Sequence, residues 1–112
     1  MARLEVAHYM KVCSTREKGR AFYPTLLELA RSAGGDELVV SFKDVEYVTP
    51  SFLHETLAKL LADSPPVVSA IGIERLRDFP AQQLAAILKG EQLDVELKQT
   101  GPESYRMVAL AA

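Results

Sequence analysis

Apolar and polar positions along this 112-residue chain change period several times, and each change marks an element. From Ala2 to Tyr9, Leu4, Val6 and His8 fall on one side and Arg3, Glu5 and Ala7 on the other, which predicts an early edge strand. Ser14-Thr-Arg-Glu17 reads as a capping box, with Phe22, Leu26, Leu29, Ala30 and Ala33 following at helical spacing up to Gly34-Gly35. Pro24 cannot donate to the Arg20 carbonyl, so a kink or a break into two pieces is expected there. Leu38, Val39 and Val40 then form a β-branched run that suits a strand covered on both faces, extended by Phe42, Val45, Tyr47 and Val48.

Thr49-Pro50-Ser51 stops that strand and starts a helix. The residue before a proline is pushed to extended geometry, proline at the first helical position gives up an N–H that lacks a partner anyway, and Thr or Ser can cap the free amides. Leu53, Leu57, Leu60 and Leu61 form the inward face of this second helix, and Asp63-Ser-Pro-Pro66 reverses the chain. Val67 to Ile73 reads as another buried strand. Asp78 is expected to cap a third helix with Leu84, Ala85, Ile87 and Leu88 inward and Gly90 at its end. Leu93 to Gln99 and Tyr105 to Leu110 form two strands joined by Thr100-Gly-Pro-Glu-Ser104, an antiparallel hairpin. This order predicts one α/β domain over residues 1–112, a mixed sheet with helices packed on it and a C-terminal β-hairpin.

Composition narrows the function classes. With 48% hydrophobic residues the chain can bury a core without a metal or disulfide staple. A formal charge of -2, with Lys and Arg scattered, supplies no basic field for a nucleic-acid backbone. Cys13 is the single cysteine, so no internal disulfide forms and a reducing cytoplasm is the expected setting. The first residues alternate instead of forming a leader's apolar block, and neither a membrane association nor a cofactor is expected.

The stretches Ser14-Thr-Arg-Glu-Lys-Gly-Arg20, Val39-Val-Ser-Phe-Lys-Asp-Val-Glu-Tyr-Val-Thr-Pro-Ser-Phe52 and Leu53-His-Glu55 resemble a bacterial STAS-like family of unknown function. That family is related to the anti-sigma factor antagonists and to the cytoplasmic domains of sulphate transporters. Ser51, Phe52 and Glu55 match its Ser-Phe-x-x-Glu helix start, whereas Ser41 and His54 stand where acidic residues are common. The resemblance covers roughly residues 14 to 61 and implies a non-catalytic signalling domain that binds a protein partner, an anti-sigma-like ATPase and serine kinase. It further implies phosphorylation at Ser51, with Thr49 as the adjacent alternative, on a surface that includes His54 and Glu55.

A plainer reading makes Thr49 or Ser51 an N-cap contributing about 1 kcal/mol. Arg16 and Arg20, four apart on the first helix, can present one face to a phosphate or carboxylate, which makes them candidate anion-binding residues for the alternative of a small-ligand or nucleotide-binding module. His8, Cys13 and His54 lack metal-ligand spacing, and Cys13 lacks any nucleophile motif, so a metal site or a Cys-dependent hydrolase has little in its favour.

Overall fold

The computed structural model describes residues 2–32, 37–62, 68–92 and 94–109. Among these, five strands make a mixed sheet in the order β1-β3-β5-β7-β6: β1 (Ala2–Glu5), β3 (Leu38–Ser41), β5 (Ala70–Glu74), β6 (Val95–Gly101) and β7 (Ser104–Ala109). β1, β3 and β5 run parallel, while β7 runs antiparallel to both β5 and β6. A separate two-stranded parallel pair joins β2 (Val12–Cys13) to β4 (Tyr47–Val48). The helices are α1 (Arg16–Ser32), α2 (Pro50–Leu53), α3 (Lys59–Ala62) and α4 (Asp78–Gly90), and a π-helical turn at His54–Ala58 joins α2 to α3 in one uninterrupted run.

The register places two apolar rows across one face of the sheet. Leu4, Val40, Ile73 and Tyr105 are cross-strand neighbours in one row, and Leu38, Ile71 and Met107 in the next. All seven are buried beneath the helices, where Phe22, Leu26 and Ala30 of α1, the four leucines of the second helical run, and Ala81, Leu84 and Leu88 of α4 complete the core. The expectation that β3 is covered on both faces is corrected: Val39, level with Gly72 and Arg106, lies on the opposite face and is half-buried. That face carries Arg3 bridged to Glu5 and Glu74, and Arg106 bridged to Glu37. Such exposed pairs are worth about 0–1 kcal/mol each, so burial on the helix side holds the sheet.

Several local expectations change. β1 is an edge strand, but it ends at Glu5, and Val6–His8 form a 3₁₀ turn that tucks Val6 into the core and leaves His8 exposed. Thr15, not Ser14, caps α1: the Lys18 N–H donates to Thr15 Oγ1 at 3.0 Å. α1 passes through the exposed Pro24 as one helix, without the anticipated break. The strand that opens at Leu38 stops at Ser41, because Asp44 turns the chain through φ 66° and Tyr47–Val48 pair with β2 instead. Asp78 does not cap α4; Arg77 holds the cap position, and the Asp78 carboxylate accepts a 2.8 Å hydrogen bond from the buried Tyr105 phenol. Burial, then that bond, pushes the phenol up to about 12. Ala85 is exposed, and Ala81 takes the inward place. The calls on 33–36, 63–67, Leu93 and Leu110 fall outside the described residues.

Candidate functional site

The β2–β4 pair brings the two chain segments that enter α1 and α2 side by side, with Cys13 level with Val48. Thr49 fastens this clasp. Its backbone N–H and its hydroxyl both donate to the Cys13 carbonyl, at 2.9 and 3.3 Å, while Oγ1 accepts from the Phe52 N–H at 3.3 Å. Thr49 is therefore the N-cap, with Pro50 at the first helical position. Ser51 follows, half-buried, and among the described residues its hydroxyl has no hydrogen-bond partner.

One turn on, the side chains named from sequence converge. Arg16 donates to Glu55 Oε1 at 2.6 Å, and Arg20 lies 3.6 Å from Oε2 of the same carboxylate. Arg16 also approaches His54 Nδ1 at 3.3 Å, while His54 Nε2 meets Glu91 at the end of α4. That pattern suits the tautomer with the proton on Nε2. The two arginines present one face, as their spacing requires, and the carboxylate on it is the chain's own Glu55. Sequence reasoning missed Glu91, which follows the helix-ending Gly90 and carries no local signal of its long-range partner.

The contact is close because α1 offers a glycine. A Cβ built on Gly19 would stand 2.9 Å from Glu55 Cβ and 3.3 Å from the Phe52 carbonyl oxygen. Phe22, three residues on, stacks on Phe52 with ring centroids 6.1 Å apart. Thr56, buried inside the π-helical turn, returns its hydroxyl to the Phe52 carbonyl at 2.8 Å.

Glu55 is held below the usual carboxylate range, first by the hydrogen bond from Arg16, against the opposing effect of burial, with the nearby cations adding to it. Folding thus favours the ionised form. The stabilisation is complete above the ordinary carboxylate range and is lost as pH falls through that range and below it. The expected outcome is that Glu55→Gln melts below wild type at pH 7 and that the gap narrows toward pH 3, read from thermal melts in steps of pH. A gap that widens on acidification contradicts the assignment.

Cys13 is fully buried, and burial pushes its thiol up to about 11, so neither access nor thiolate supports a nucleophilic role. Among the described residues no group of three or more His, Cys, Asp or Glu is placed to hold a metal. No helix among them is long and apolar enough to cross a membrane.

Comparison with curated proteins and with solved structures finds no match. A family model described as a STAS-like domain of unknown function matches residues 18–75, from the first turn of α1 through the Thr49 clasp to the end of β5. This segment is more than half of the 112 residues, and with the mixed sheet and its helices it shows that the chain belongs to the family of STAS-like domains of unknown function.

Proposed function

We propose that this domain is a non-catalytic regulatory module, like an anti-sigma factor antagonist, that binds a protein partner through the head of the second helical run and is released by phosphorylation of Ser51. The observation that carries this reading is the division of labour between two hydroxyls. Thr49 does the capping, so Ser51, at the second helical position, keeps a hydroxyl that the fold does not use. A phosphate there adds nearly two negative charges at the positive end of the helix, where Thr49 already caps the Phe52 N–H. Glu55 lies one turn along, but Arg16 and Arg20 already neutralise it. The modified domain stays folded, and the repulsion falls on the partner.

The resemblance to the anti-sigma factor antagonists is what points to a serine kinase with an ATPase fold as that partner, one that would both dock on this surface and modify it. Calorimetric titration against a co-encoded ATPase recovered by pull-down tests the reading. Ser51→Asp weakens binding at least about tenfold, or roughly 1.4 kcal/mol, while Ser51→Ala binds as wild type and both melt within a few degrees of it. Equal affinity of Ser51→Asp and wild type returns Ser51 to a plain helix position. The alternative of a nucleotide-binding module at the same helix start needs Arg16 or Arg20 for the phosphate, and against it weighs the engagement of both with Glu55.

A further inference from the structure

Beside the Thr49 clasp, a groove of about 210 Å³ opens between β4, Pro50 and the start of α4. Its floor is apolar, formed by Phe42, Val48, Leu76 and Pro80. Two aromatic side chains from separate elements line it while standing largely in solvent, Tyr47 at 58% exposure and Phe79 at 68%, and these are the two most exposed large hydrophobic residues described. Arg75 and Arg77 also line it, and neither side chain has a hydrogen bond or ion pair among the described residues. Glu46 supplies the lining's one carboxylate, so the groove keeps an excess positive charge.

We propose that this groove seats an aromatic side chain of an acidic segment in the protein partner. The proposal rests on the partner-binding reading above and deepens it. Size decides between a side chain and a free metabolite: pockets for drug-sized ligands run from about 300 to 1,000 Å³, so this one takes a single ring and not a whole nucleotide. Tyr47 and Phe79 clasp the ring, and Arg75 and Arg77 meet flanking carboxylates, the aromatic anchor with charged surroundings common to energetic centres of interfaces. Pro50 lines the groove and directly precedes Ser51, and α4 packs on α2. A phosphate on Ser51 therefore stands beside the path of an acidic segment and repels it, which links occupancy of the groove to the switch.

The test is an amide-resolved NMR titration of the full chain with the blocked tripeptide Asp-Phe-Glu, and with Asn-Phe-Gln and Asp-Ala-Glu as controls. The expected result is shifts centred on Tyr47 and on residues 75–79, with binding at least about tenfold tighter than for either control. Phe79→Ala, and Arg75→Ala combined with Arg77→Ala, change exposed side chains and leave the melt unchanged, yet each weakens the tripeptide at least about tenfold. Equal binding of the controls, shifts elsewhere or no shifts at millimolar peptide overturn the proposal. So does displacement of the peptide from this groove by AMP, which makes the occupant a nucleotide. If the recovered partner obeys Ser51→Asp but ignores Phe79→Ala, the groove assignment alone fails. If the tripeptide binds as expected while Ser51→Asp leaves the partner's affinity intact, the switch alone fails.

Discussion

Leu57→Ala lowers the unfolding free energy by about 2–5 kcal/mol, the range for a buried leucine that loses both its transfer free energy and its neighbours' contacts. Leu57 is 2% exposed and belongs to the π-helical turn, which packs against α1 and α4. The sheet's other face carries exposed ion pairs, so a cavity on the helix side weakens the layer that holds the buried core. The helical run that carries it is tied at Thr49 and at Thr56, so little collapse into the space is available. Urea unfolding of wild type and variant checks this. An unchanged midpoint places Leu57 on the wrong face.

Gly19→Ala is destabilising by about 1–3 kcal/mol, as overpacking usually is, although alanine is the better helix former by about 1 kcal/mol. Two effects oppose each other, and distance decides. The new Cβ meets Glu55 Cβ at 2.9 Å and the Phe52 carbonyl oxygen at 3.3 Å, groups near the backbone that cannot swing aside. α1 must move off α2, which loosens the Phe22–Phe52 stack and the bridge from Arg16 to Glu55. The same urea titration reads the loss, and a more stable Gly19→Ala contradicts it.

Periodicity revealed what depends on local pattern. Leu53, Leu57, Leu60 and Leu61 share a face because their spacing leaves no other choice, and Thr49-Pro50 starts a helix for reasons carried by those two residues. The closing hairpin was equally legible, since its strands are joined by a short loop. What stayed hidden was decided at long range. The apolar run through Phe42 and Val48 looked like one strand, yet β2 competes for its second half and Asp44 accepts a left-handed backbone. Ser14 and Thr15 are both good caps, and nothing local chooses between them. Asp78 looked like a cap, but a buried phenol 27 positions away needed an acceptor. In the candidate site, the sequence named Arg16, Arg20, His54 and Glu55 as residues of interest without indicating that they engage one another. Arg75, Arg77 and Phe79 carried no periodic signal, and a groove between two helix starts exists only in the folded chain.

Chain order and sheet order part company at β7. It is the last of the described strands in sequence, yet it lies inside the sheet, between β5 and β6. During synthesis, β1, β3 and β5 can emerge and pair through their helical crossovers while one edge of β5 stays bare until residues 104–109 leave the ribosome. A nascent chain at that stage presents unpaired backbone and the apolar side chains of Ile71 and Ile73 to any neighbour, the condition under which strands add to one another between molecules. The delivery of β7 by a tight hairpin shortens that interval, because once β6 has emerged its partner follows after two turn residues and the sheet is closed from within.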